Sequence, residues 1–222
     1  METRILILGA SGMLGNCLLR YFAAKEPFLV GASVRSCQPL HDLDCVPNFQ
    51  QLTGVDAQDP DKLLRLFEDF QPDIAINCIG VVKQLAEADD ALVSIPLNSL
   101  LPHRLAKLCS QSGCRLIHFS TDCVFTGKKG GYLESDALDA TDLYGRSKIL
   151  GEVDYPNVIT LRTSLIGHEL NGARSLVSWF LAQEGAVRGF TRAIFSGLPT
   201  IEIARVIEEY IIPVRKLRGI YH

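Results

Sequence analysis

Arg4-Ile-Leu-Ile-Leu8 runs directly into Gly9-Ala-Ser-Gly12-Met-Leu-Gly15 and then into the helix-patterned Asn16-Cys-Leu-Leu-Arg-Tyr-Phe-Ala-Ala-Lys25. No other stretch restricts the fold as strongly. A short unbroken apolar run suits a strand buried on both faces, as in a parallel sheet covered by helices on either side. Glycines three apart, at the passage from strand to helix, let the backbone approach a pyrophosphate. Its charge would then rest against the first amides and the positive dipole end of the helix. Gly9, Ser11, Gly12, Met13, Leu14 and Gly15 are therefore the candidate dinucleotide cradle. Tight strand–helix packing without a ligand is the alternative.

The same unit recurs downstream. Phe28 to Val34 reads as a second strand, ending in Arg35-Ser36. At that distance from the glycines an acidic residue would bond the ribose hydroxyls of NAD, whereas an arginine can accommodate a 2′-phosphate. Arg35 thus favours NADP(H), with NAD(H) as the alternative and a solvated loop arginine as the plain reading. Phe49 to Val55 reads as a third strand ending in Asp56, which either borders the adenine or begins a loop. A helix follows from Asp61 to Phe70, capped by Asp59 or Asp61. Asp73-Ile-Ala-Ile-Asn-Cys-Ile-Gly80 is a fourth strand whose polar end, with Cys78 and Gly80, falls where the sheet would meet a cofactor. Residues 81 to 95 are a polar connection without a readable pattern. Pro96 to Cys109 is helical, with Pro102 in its first turn or kinking it, and Asn98 could bond backbone or water near the site, or be merely a cap or a surface amide.

Cys114-Arg-Leu-Ile-His-Phe119 is a fifth strand and delivers Ser120-Thr121-Asp122 at its carboxyl end, where ligands collect in open α/β sheets. Thr121 is placed to hold a carbonyl oxygen, and Asp122 to position the neighbouring loop or satisfy turn amides. After a Gly- and Lys-rich loop comes Thr141-Asp-Leu-Tyr-Gly-Arg-Ser-Lys-Ile-Leu-Gly-Glu152. Four-residue spacing puts Tyr144 and Lys148 on one helical face. Thr141 or Asp142 caps the helix, and Ile149 and Leu150 give it an apolar side to bury. A lysine charge nearby would lower the phenol's pKa and make Tyr144 a proton donor. Asn157 to Thr163 is the sixth strand. Strand–helix alternation repeated six times means an α/β fold with a doubly wound parallel, Rossmann-like sheet.

Composition excludes several classes. With 222 residues, 47% hydrophobic and 21% charged, and a net charge of −3, there is no basic bias toward nucleic acid and no run long enough to span a membrane. Seven cysteines, scattered and without a Cys-x-x-Cys pair, read as reduced, buried thiols of a cytoplasmic protein. The five histidines lack metal-ligand spacing, and His118 reads as a core residue. From Ser164 the pattern changes to a helix at Ala173 to Gln183, a short strand at Val187 to Phe190, a helix from Pro199 to about Tyr210 and a new strand at Gly219. The expected division is a dinucleotide-binding domain, 1–163, and a small, incomplete substrate lobe, 164–222. Arg174, Arg188 and Arg192 could meet a diphosphate there, or be solvated.

The glycine turn, Ser120-Thr121-Asp122 and Tyr144-x-x-x-Lys148, in this order and spacing, resemble the extended short-chain dehydrogenase/reductase family. Phe119-Ser-Thr-Asp-Cys-Val-Phe-Thr-Gly127 and Leu143-Tyr-Gly-Arg-Ser-Lys148 with Gly151-Glu152 look most like the dTDP-4-dehydrorhamnose reductases, and the resemblance covers nearly the whole chain. It implies catalytic roles for Thr121, Tyr144 and Lys148, a contact from Tyr144 and Lys148 to the cofactor, and NADPH-dependent reduction of a nucleotide-linked 4-keto-6-deoxy sugar. A homodimer is left open. Two departures stand out: Cys123 replaces the usual aromatic residue near the sugar, and relatives continue beyond Ile220-Tyr-His222, so a shortened lobe could bind cofactor and turn over poorly. An NAD-dependent epimerase or dehydratase with the same triad, and a non-catalytic NADP-binding scaffold subunit, are the competing readings.

Overall fold

The computed structural model describes residues 2–37, 40, 43, 46–170 and 175–222. β1 (Thr3–Leu8) leads into α1 (Met13–Ala23), β2 (Phe28–Ser33), β3 (Phe49–Leu52), α2 (Pro60–Phe70) and β4 (Ile74–Asn77). A helical passage then runs from α3 (Ala91–Ser94) through a wider π-helical turn, Ile95–Leu100, into α4 (Leu101–Ser112). Next come β5 (Arg115–Ser120), α5 (Leu143–Leu150) and β6 (Val158–Arg162). The chain continues through β7 (Leu165–Ile166), α6 (Leu176–Leu181), β8 (Leu198–Pro199), α7 (Thr200–Val206) and β9 (Gly219–Tyr221).

Seven strands form one parallel sheet in the order β3-β2-β1-β4-β5-β6-β9, so the Rossmann-like α/β expectation holds. Alternation along β1 shows why both faces are covered. Ile5 and Ile7 join Leu18, Leu19 and Phe22 of α1, while Leu6 and Leu8 join Leu63, Phe67 and Phe70 of α2 and Leu105 of α4. The strand order reverses between β1 and β4, which opens a crevice at the carboxyl ends of those two strands. Asp59, rather than Asp61, caps α2: its carboxylate accepts from the Asp61 and Lys62 amides, with Pro60 in the first turn. Pro102 likewise lies in the first turn of α4.

The second half departs from its sequence pattern. Residues 200–222 return to the main sheet. Ile203, Ala204, Ile207 and Ile211 bury in the cluster of α1, and β9 pairs with β6. No strand forms at Val187–Phe190, where Phe190 is 91% exposed. The strand in this region is β8, which pairs with β7. Between β2 and β3 the described residues contain no helix, so the strand–helix alternation is broken there. α6 is shorter than expected, and Ala173, Arg174, His41 and Cys45 lie outside the described residues. Of the six described cysteines, all free thiols, Cys109 and Cys114 are buried and Cys37 is exposed, so the expectation of generally buried thiols is met only in part. Among the described residues no helix is long and apolar enough to cross a membrane.

Candidate active site

The glycine turn closes on itself for steric reasons that can be read position by position. Gly9 has φ +83°, and a Cβ there would lie 2.9 Å from Ile79 Cγ1. A Cβ on Gly15 would fall 2.2 Å from the Gly9 carbonyl oxygen, so α1 crosses the end of β1 at a distance no side chain permits. Gly12 differs: its nearest neighbour would be 3.5 Å away, an ordinary contact. It caps α1 without a side-chain hydrogen bond, and no acidic residue occupies the first turn, so the leading amides are left for an anion. Ser11 and Gly12 are exposed, Met13 is half-buried, and Leu14 is buried among core residues, where its side chain supports the cradle rather than lining it. Gly15→Ala is expected to destabilise the fold by about 1–3 kcal/mol and to weaken dinucleotide binding. Gly12→Ala should leave the melting temperature unchanged and weaken binding alone. Thermal melts with an NADPH fluorescence titration of both variants check this pair.

Around the turn, the Ala10 amide donates to the Ser33 carbonyl at 3.0 Å, which brings the end of β2, and exposed Arg35 just beyond it, to the cradle. Asp56 spends one carboxylate oxygen on its own turn, accepting from the Gln58 amide at 2.9 Å, so of its two readings the loop-starting one is the one visible. Cys78 is half-buried beside Cys17, and burial pushes its thiol up, which keeps it neutral. Gly80 is exposed, and a Cβ there would stand 3.1 Å from Asn98 Oδ1 and 4.0 Å from Lys148 Nζ. The three residues Cys78–Gly80 therefore connect Gly9 at one end to Lys148 at the other.

Thr121 follows the last residue of β5 and caps a short turn, accepting from the Cys123 amide at 3.1 Å and donating to Asp122 Oδ1 at 3.2 Å. Asp122 Oδ1 also accepts from the Ser164 hydroxyl at 2.7 Å and so ties this turn to the segment after β6. α5 begins opposite. Asp142, not Thr141, is its cap, accepting from the Gly145 amide at 2.7 Å and from Lys83 Nζ at 2.8 Å. A Cβ on Gly145 would meet Ala140 Cβ at 2.5 Å and the Cys123 carbonyl at 2.7 Å; this close approach sets Tyr144 against the Thr121 turn. The buried residues of α5 are Gly145, Ser147 and Lys148, while Leu150 is 62% exposed, so small and polar groups, not an apolar stripe, seat the helix.

The electrostatics differ from the sequence expectation. Burial pushes the Tyr144 phenol up to about 12, against a hydrogen bond with Thr121 that pulls it down. Lys148 is not among the main contributors to that balance. Its Nζ donates to the Phe119 carbonyl at 2.7 Å, and burial lowers its own pKa to about 8, with Glu152 acting in the opposite sense. Tyr144 is thus a protonated phenol throughout the neutral range, and Lys148 is a cation that sheds its proton within a short step above it.

Asn98 is the residue that sequence reasoning undervalued. It is fully buried in the π-helical turn, accepts from the Val81 amide at 2.9 Å, and donates to the Val81 carbonyl at 3.2 Å and to Ser147 Oγ at 3.1 Å. Ser99 Oγ adds a bond to the Ser147 carbonyl, and a Cβ on Gly151 would lie 1.8 Å from the Asn98 carbonyl oxygen. One amide therefore fastens the loop beyond β4 to the helix of Tyr144 and Lys148. The available signal was an amide set within the apolar stretch Leu97 to Leu101. Arg188 and Arg192 are exposed, in a segment without helix or strand. Among the described residues no group of three or more His, Cys, Asp or Glu could hold a metal ion.

Residues 3–222 match the family model described as RmlD substrate binding domain. The chain is similar to the probable low-salt glycan biosynthesis reductase Agl14 of Haloferax volcanii, 30% identical over 165 residues that make up 72% of this chain and 52% of that protein. It is also similar to methionine adenosyltransferase 2 subunit beta of Rattus norvegicus, 30% identical over 149 residues, 67% of this chain and 41% of that one. The chain spans about half the length of the first curated relatives it matches. A solved dTDP-4-dehydrorhamnose reductase of Bacillus anthracis, in complex with NADP, superposes with a TM-score of 0.75 at 22% identity, covering 100% of this chain and 74% of that one.

Proposed function

The chain belongs to the RmlD substrate binding domain family, and its solved neighbours include dTDP-4-dehydrorhamnose reductases of the extended short-chain dehydrogenase/reductase type; from that premise we propose that it reduces a nucleotide-linked 4-keto-6-deoxy sugar with NADPH. The observation that supports this reading is the hydrogen bond between Tyr144 and Thr121, with Lys148, one helical turn further along α5, beside Gly80 and so next to the segment that borders the glycine turn. The residues present fit a dinucleotide: Gly12 leaves the amides of α1 open, Gly9 and Gly15 keep the turn tight, and Arg35, exposed just beyond β2, would be available to a 2′-phosphate. When bound, NADPH supplies the hydride. Tyr144 gives its phenolic proton to the carbonyl oxygen, and Thr121 hydrogen-bonds that oxygen as it gains charge. Lys148, 6% exposed and next to Gly80, would meet the nicotinamide ribose. The described residues between 164 and 199, which contribute no strand to the main sheet, would form the substrate side.

Likeness to a protein named as a subunit of an adenosyltransferase supports a second reading, a non-catalytic NADP-binding subunit. Incubation with NADPH and a panel of dTDP-, UDP- and GDP-linked 4-keto-6-deoxy sugars separates the two. Net NADPH oxidation with at least one of them is expected. Cofactor binding without oxidation of any would leave the subunit reading in place.

A further inference from the structure

Next to Phe119, whose carbonyl holds Lys148, His118 forms with Asn77 a polar pair that the reaction outlined above does not use. His118 projects from the middle of the sheet, 1% exposed, and its Nδ1 is 3.1 Å from Asn77 Nδ2. Asn77 cannot be turned the other way round, because its Oδ1 accepts from the Ile79 amide at 3.1 Å. Its Nδ2 is therefore the donor to His118, Nδ1 must accept, and the neutral ring carries its proton on Nε2. That Nε2–H is buried and has no acceptor among the described residues. A buried donor in this position is ordinarily satisfied by a bound water. Lys148 has capacity to share it: its ammonium has three N–H groups, and its one acceptor among the described residues is the carbonyl of Phe119, the residue after His118.

We propose that His118 is a positioning residue for Lys148: its buried Nε2–H holds a water molecule that also accepts from the Lys148 ammonium, and so seats that ammonium beside the Phe119 carbonyl. The inference rests on the reading of Lys148 as a working member of the site, and it gives Asn77 a task as well, that of fixing the tautomer. Burial first, and then the charged and titratable groups Lys148 of α5 and His103 of α4, hold the His118 pKa down and keep the ring neutral, while Glu152 raises the pKa of Lys148. Without the water the ammonium would lose one of its few solvating partners and its proton would leave more easily.

Nitrogen-15 NMR of the imidazole is expected to show the neutral Nε2-protonated ring from about pH 6 to pH 9. A ring protonated on Nδ1 overturns the proposal. NMR titration of the Lys148 side chain should give a midpoint near 8 in the parent protein, a midpoint lower by about one pH unit in His118→Leu, and a parent-like midpoint in His118→Gln, whose amide N–H replaces Nε2–H. Should His118→Leu not fold, His118→Asn, whose amide reaches only the Nδ1 position, is expected to show the lowered midpoint. An unmoved Lys148 midpoint in the leucine or asparagine variant reduces His118 to packing. Neither titration requires turnover, so an intact coupling in a protein that oxidises no NADPH counts against the reductase reading alone.

Discussion

In Tyr144→Phe, turnover is expected to fall by about 10²–10⁴-fold, the usual contribution of a positioned general acid, while the dissociation constant for NADPH changes little. The substitution removes one oxygen and leaves the ring in its half-buried place beside the Thr121 turn. A phenol held at about 12 by burial is not too weak an acid for this step. The alkoxide that forms on a sugar carbon is a much stronger base than a phenolate, so the proton moves downhill, and the high value keeps the donor loaded at every neutral pH. The pH dependence then belongs to Lys148. Burial lowers its pKa to about 8, so the ammonium is present below that pH and lost as pH rises through it. The rate of the parent enzyme should decline on the alkaline side of about 8, with no loss from Tyr144 until far higher. Initial rates across pH, with NADPH binding by fluorescence, check both statements. A phenylalanine variant of near-native rate would assign the proton to another group.

The sequence was most informative where a local pattern has a local cause. The glycine turn was legible because a strand, a tight turn and a helix each leave a mark within a few residues, and the clash distances at Gly9 and Gly15 explain those marks. Tyr144 and Lys148 were legible because helical spacing alone puts them on one face. What the sequence could not show depends on partners distant in the chain. Asn98 resembles any cap until the Val81 loop is folded against it. α5 was expected to bury Ile149 and Leu150, yet its neighbour across the interface is the Asn98–Ser99 turn, which selects small and polar residues. Residues 200–222 read as part of a separate lobe, because an amphipathic helix does not announce which apolar surface it will cover; here it is α1. The expected effect of Lys148 on Tyr144 failed for a related reason: spacing brings two side chains to one face, but the Phe119 carbonyl decides where the ammonium points.

The largest expected loss of stability lies outside the triad, at Glu152. Its carboxylate accepts from Arg162 Nε and Nη2, both at 2.8 Å, and from Ser120 Oγ at 2.7 Å, and the two charged side chains are each 4% exposed. Arg162 completes its bonding with the Glu134 carbonyl at 3.2 Å and His222 Nε2 at 3.1 Å, and lies over the Phe125 ring. One ion pair thus joins the end of β5, the segment after α5, β6 and the last residue of the chain. Such a pair contributes little net stability compared with a well-packed apolar replacement, yet removing one member leaves the other charge buried without compensation, at a cost of about 3–5 kcal/mol. Glu152→Gln keeps the shape and removes the charge. It should lower the melting temperature by about 6–20 °C, the shift such a loss produces in a chain of this size, and Arg162→Met should do the same. If the cost is an orphaned charge and not lost packing, the double variant Glu152→Leu with Arg162→Met should be more stable than either single variant. Glu152 also raises the Lys148 pKa, so in whatever fraction of Glu152→Gln remains folded the alkaline decline in rate should begin at lower pH. A double variant no better than the singles would mean that the hydrogen bonds to Ser120, Glu134 and His222, and not the opposed charges, hold this corner of the sheet together.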